Sequence, residues 1–241
     1  MDSQRLARIF GLLYLITFLT SIPALILFQP VLDDPAGYVA SGGSDNRIFL
    51  GAFLELLLII ANIGTALVIY PIVKRQNHIL ALGYVGARIV ESTFILVGIL
   101  AVLSIVTLSQ QNAGGDEGAI AYTLAALKDW TFLLGPGFIV GIGNGLMLGY
   151  LMYASGLVPR SLAVLGLIGG PLIIITGVLV MFGVDRPSGP MQGLATIPEA
   201  VWELSLGIYA LIWGFRRVPI REAYDREVGV RVRRTAAPAP A

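Results

Sequence analysis

The sequence contains no cysteine and a single histidine, His78. Without thiols there is no disulfide, thiolate nucleophile, iron–sulfur cluster or zinc–thiolate site. One imidazole cannot build bis-histidine haem or a multi-histidine metal centre. Charge is scarce too: Asp, Glu, Lys and Arg make up 13% of the 241 residues, against about 25% in a soluble domain. With 56% apolar residues and a mean hydropathy of +0.82, the chain is neither a water-soluble globule, nor disordered, nor a nucleic-acid binder. There is no Walker glycine loop, no H-E-x-x-H and no G-x-S-x-G. The segment Gly141-Ile-Gly143-Asn144-Gly145 lies in an apolar run with no strand before it, so it is not a dinucleotide loop. No cofactor or metal is expected.

What is present is length of apolar helix. A hydrocarbon core about 30 Å thick needs about 20 apolar residues. Arg8 to Phe28, Phe49 to Val73, Leu80 to Leu108, Trp130 to Tyr153, Leu162 to Phe182 and Ile197 to Phe215 each meet that need. The expected fold is therefore all-α, a polytopic bundle of six transmembrane helices spanning residues 1–215. The first run is too long for a secretory signal and lacks a small-residue cleavage pattern, so it is read as a retained helix. Arg5, Arg8, Lys74, Arg75, Arg160 and the arginines after Phe215 share one side, while Arg47, Lys128 and Arg186 lie opposite among Asp and Glu. That bias puts both termini in the cytoplasm. Residues 216–241 read as a separate basic tail ending in Ala-Pro repeats, able to lie along anionic headgroups.

Ionisable groups within spans are costly in lipid and point to function. Glu55, Arg88, Glu91 and Glu203 are the four clear cases. Arg88 and Glu91, three apart, share a helical face and can pair locally. Three acids against one arginine leave carboxyl groups in excess, able to carry a proton or hold a cation; alternatively the charges only pin helices together. The register of the third span decides whether Glu91 reaches the level of Glu55 and Glu203. Asn62 and Tyr70 continue the stripe of Glu55, and Asn144, Tyr14, Thr17 and Ser21 can complete a polar seam, although membrane hydroxyls often satisfy only their own backbone. Ligand or proton binding is thus assigned to Glu55, Asn62, Arg88, Glu91, Asn144 and Glu203. Gly137, Gly141, Gly145 and Gly149, each four apart, form a bare face suited to close helix packing. Trp130, Trp202 and Trp213 fit interfacial belts.

Four segments carry a family resemblance: Ala7-Arg-Ile-Phe-Gly-Leu-Leu-Tyr-Leu-Ile-Thr-Phe, Arg88-Ile-Val-Glu-Ser, Ser155-Gly-Leu-Val-Pro-Arg-Ser-Leu-Ala-Val-Leu-Gly and Pro198-Glu-Ala-Val-Trp-Glu-Leu. Together they resemble the bacterial integral-membrane family known as domain of unknown function 4386. The resemblance covers nearly everything before the basic tail and implies a six-helix bacterial membrane protein; it brings no reaction, substrate or cofactor. The first functional expectation is binding or transport of a small polar, cationic or amphiphilic ligand through the carboxylate/arginine cluster. The second is a non-catalytic accessory subunit that docks a partner membrane protein, or a second copy, through the glycine face. The third is an intramembrane lipid-modifying enzyme, for which no catalytic residues are assigned. The bilayer, in a bacterial cell membrane, is the expected partner, and nucleic acid is not.

Overall fold

The computed structural model describes residues 1–42, 45–111 and 116–229. Among these residues the structure is helical, with eight helices in chain order. They are α1 (Ser3–Asp33), α2 (Pro35–Ser41), α3 (Asp45–Val73), α4 (His78–Gln111), α5 (Glu117–Ser155), α6 (Arg160–Met181), α7 (Pro190–Ile212) and α8 (Pro219–Glu227). Six of them, all but α2 and α8, are long and apolar enough to cross a membrane. Their outward faces carry large apolar side chains such as Leu19, Ile60, Leu100 and Ile168, each more than half exposed. Such a surface is untenable in water and ordinary against lipid tails. The chain is built as a multi-pass membrane protein.

Local chemistry marks the helix ends. Asp2 accepts from the Arg5 N–H at 2.7 Å to start α1, and the Asn77 side chain accepts from the Leu80 N–H at 3.0 Å at the start of α4. Gly156, at φ +69°, closes α5 in the left-handed conformation that a side chain would oppose. Each long helix packs on the next in sequence, and α1 also packs on α7, so the six form a closed ring. Helix α5 departs from the α geometry between Leu133 and Leu148, where backbone bonds reach five residues back: Val140 N–H to Gly135 O and Gly149 N–H to Asn144 O. Pro136 has no N–H to keep the α ladder, and the glycines around it tolerate the wider winding.

Two apolar cores fill the ring. One, at the end that carries Met1 and α8, contains Phe10, Tyr14, Ile69, Tyr84, Leu148 and Trp202; the other, at the acid-rich end, contains Phe28, Ile48, Ala52, Ile95, Ile99 and Val102. Between them, on α1, α3 and α4, the buried polar residues include Thr17, Thr20, Asn62, Arg88, Glu91 and Ser92. A polar belt thus crosses the middle of the bundle.

The basic segment after Phe215 is not separate along its whole length. Ser3 donates through its N–H (2.9 Å) and hydroxyl (2.7 Å) to the Asp225 carboxylate, the Arg221 Nε donates to the Ser3 hydroxyl at 2.7 Å, and Tyr224 donates to the Met1 carbonyl at 2.9 Å. Arg75 at the end of α3 pairs with Glu227. The apolar and charged faces of this short helix find partners on the chain itself, which fastens residues through Glu227 to the bundle. Arg231, Arg233, Arg234 and the Ala-Pro end lie outside the described residues.

Candidate functional site

The belt is organised around Arg88. Its guanidinium Nη1 donates to Glu91 Oε2 at 2.8 Å, and Glu91 Oε1 accepts from the Asn62 amide at 2.9 Å. The guanidinium carbon lies 5.2 Å from the Tyr14 ring centroid and 5.9 Å from that of Tyr84, so two aromatic faces replace part of the lost hydration. Those tyrosines share a hydrogen bond at 3.1 Å, and the Thr65 hydroxyl is 3.4 Å from that of Tyr84. Helices α1, α3 and α4 are thereby joined through one network. The Asn62–Glu91 bond sets the register of the third span: Glu91 is level with Asn62, two turns along α3 from Glu55.

From the other side of the ring, α7 brings Glu199 and Glu203 toward Arg88, and both interact electrostatically with it. Glu203 accepts from the Asn144 amide of α5 and stays partly exposed. Glu199 is 2% exposed and its carboxyl group lies against Gly169 of α6, where a Cβ would stand 2.7 Å from Glu199 Oε2. Glu91 therefore bonds the guanidinium, while Glu199 and Glu203 lie within its electrostatic field. Several buried atoms have no hydrogen-bond partner among the described residues: both oxygens of Glu199, Arg88 Nε and Nη2, Ser92 Oγ and Asn144 Oδ1. Buried polar groups without partners are costly and rare, and here donors and acceptors of both charges share one belt. A polar stripe on α7 leads to it. Gln192, Thr196, Glu199 and Glu203 follow at helical spacing from the acid-rich end, about 17 Å of rise. Among the described residues no three His, Asp or Glu side chains converge closely enough to hold a metal ion, so the acids are not a chelate.

Of the residues expected to act together, Asn62, Arg88, Glu91, Asn144 and Glu203 are gathered in this belt. Glu55 is not. Its two oxygens accept from Lys128 Nζ at 2.6 and 2.7 Å, in a separate pair that also has Lys128 Nζ 5.0 Å from the Phe28 ring. Lys128, expected in a loop, is 5% exposed because α5 begins at Glu117 and carries it into the bundle. Tyr70 lies at the terminal end, bonded to His78 at 3.1 Å, and the Thr17 hydroxyl only returns to the Tyr14 carbonyl.

Two further expectations change. Trp202 is not interfacial: it is fully buried, and its indole N–H donates to the Asn144 carbonyl at 3.2 Å. The glycine face of α5 is covered within the chain, since Cβ atoms at Gly141 and Gly145 would collide with Gly170 of α6. The middle of that face is therefore closed to a partner helix. Gly149 faces Leu167, and Gly137 faces Gln192 of α7. The partner glycines Gly166, Gly169 and Gly170, three and one apart, admit Trp202, Glu199 and α5 in turn. Glu199 escaped the sequence reading because it stands two residues inside a span taken to begin at Ile197. The helix starts at Pro190, nine residues earlier in the chain than this carboxyl.

Residues 9–214 match the family described as Domain of unknown function (DUF4386). No curated protein and no solved structure matches the chain.

Proposed function

Because the chain belongs to that family of unknown function, its activity has to be read from its own chemistry, and we propose that it is a small-ligand binding or transport protein of the membrane. Its belt around Arg88 takes a proton or a small monovalent cation. The observation that carries this reading is Glu199, a buried carboxyl group with neither oxygen hydrogen-bonded among the described residues, one helical turn from Glu203 and within the field of the same guanidinium. Arg88 is already engaged by Glu91, so Glu199 and Glu203 are the acids in excess. A proton or a cation neutralises them where water is scarce. The stripe from Gln192 to Glu203 gives a polar approach from the acid-rich end. The burial of Arg88 and Glu199, each 2% exposed, favours a small ion over an amphiphile.

The test is flux in proteoliposomes loaded with a pH-sensitive dye, under an imposed Na⁺ or K⁺ gradient and then an imposed potential. Wild-type protein is expected to move protons at least tenfold faster than E199Q/E203Q, with both proteins eluting as the same folded species. Melting of the detergent-purified protein in NaCl and KCl, against choline chloride, reports binding without transport. Wild-type protein with neither flux above empty liposomes nor a cation-dependent melting shift refutes the reading, as does an E199Q/E203Q protein that behaves like wild type.

A further inference from the structure

Away from the belt, at the end that carries Met1 and α8, a cleft of about 490 Å³ opens between the α5–α6 turn and the strap after α7. We propose that this cleft binds a phosphate group, presented as the headgroup of an anionic phospholipid. This site is independent of the ion chemistry proposed for the belt. Its walls carry Arg160, Arg216 and Arg217, with Ser155, Pro159 and Val218 between them, and no acidic residue. None of the three arginines forms an ion pair among the described residues. This end of the bundle is basic as a whole, and within it the cleft gathers three guanidinium groups with no acid on its walls. Like charges held together repel, and an anion relieves that repulsion.

The cleft is built on fixed backbone. Leu157, Val158 and Phe215 are anchored in the core at 0–1% exposure, and the Arg216 N–H donates to the Leu157 carbonyl at 2.8 Å, which ties the two walls together. Gly156 and Gly214, at φ +69° and +70°, make the two turns. The 22-residue helix α6 begins in the cleft at Arg160, after Pro159 and with no side-chain cap, so its positive end adds to the field of the arginines. Guanidinium groups present paired donors that match two phosphate oxygens at once. The lipid source follows from position. Trp213 is 63% exposed beside the strap and Tyr153 is exposed beneath Arg160, whose guanidinium is 5.4 Å from its ring. Exposed aromatic rings at the ends of apolar helices mark the headgroup level, where basic clefts between spans take anionic lipid.

The experiment uses the full chain in mild detergent, with native mass spectrometry to count retained lipid and melting to report stabilisation. The added probes are phosphatidylglycerol, phosphatidylcholine and inorganic phosphate at constant ionic strength. Phosphatidylglycerol is expected to be retained over phosphatidylcholine. R160Q/R216Q/R217Q is expected to lose this preference by roughly fivefold per arginine removed, about a hundredfold in all. R5Q/R8Q/R226Q, which removes equal charge from elsewhere at the same end, is expected to keep it. Stabilisation by inorganic phosphate that also disappears in R160Q/R216Q/R217Q supports the phosphate site and names free phosphate as its source. Equal retention of the two lipids with no phosphate effect overturns the proposal. So does preference surviving in R160Q/R216Q/R217Q, or an equal loss in R5Q/R8Q/R226Q.

Discussion

Replacing Lys128 by Met separates a structural ion pair from a functional site. In the folded protein Lys128 Nζ donates to both oxygens of Glu55, and the two side chains are 6% and 10% exposed. K128M leaves the Glu55 carboxyl buried with both bonds lost and no nearby cation to replace them. Breaking a buried pair from one side costs about 3–5 kcal/mol. Removing both charges in E55M/K128M keeps volume and discards the desolvation cost, so the double variant should return close to wild type. The expected coupling is about 3 kcal/mol, or roughly 6–12 °C in apparent melting temperature for a chain of this size. Heating in detergent followed by size-exclusion chromatography with fluorescence detection reads that difference. The same E55M/K128M protein should retain the ion response of the belt, because Glu55 is not among the groups facing Arg88. A K128M protein melting within about 2 °C of wild type, or a double variant worse than the two single changes combined, would show that the pair is not what holds α3 to α5.

Three other outcomes follow from packing and docking. Ala at position 170 places a Cβ 2.6 Å from the Gly141 carbonyl oxygen and 2.9 Å from the Gly145 Cα, and backbone cannot yield as a side chain does; G170A should cost about 1–3 kcal/mol. G86A, where a Cβ meets nothing within 4 Å, should melt as wild type or slightly higher in the same heating assay. At the terminal end, D225N removes charge from the acceptor of both Ser3 donors, so amide hydrogen exchange across residues 219–227 should accelerate severalfold while the spans stay protected. Unchanged exchange there would mean that apolar contacts alone hold α8.

Much of this arrangement is legible in hydropathy. The six spans, the Arg88–Glu91 pair at i, i+3 and the polar character of Asn62 and Asn144 follow from runs and spacings that lipid constrains strongly. The glycine row on α5 reads as a packing face because bare backbone has few other uses in a membrane. Its partner row on α6 passed unnoticed, since the spacings among Gly166, Gly169 and Gly170 are irregular and become meaningful only when α5 crosses them. Lys128 and Glu199 were missed for one shared reason. Hydropathy windows start both helices late, so that Lys128 falls in a loop and Glu199 at the very end of a span, whereas α5 runs from Glu117 and α7 from Pro190. Trp202 likewise looks interfacial until the indole is seen to reach the Asn144 carbonyl of α5, which also accepts from the Gly149 N–H.

The sequence by itself determined that the chain is solvated by lipid, how many times it crosses, and which residue types are too polar to face that solvent. Those conclusions follow from transfer energies that act residue by residue and need no knowledge of neighbours. Only the tertiary structure decided which charges meet. Pairing depends on helix register and on the order of helices around the ring, and a shift of two turns is enough to send Glu55 to Lys128 and leave Glu199 and Glu203 facing Arg88.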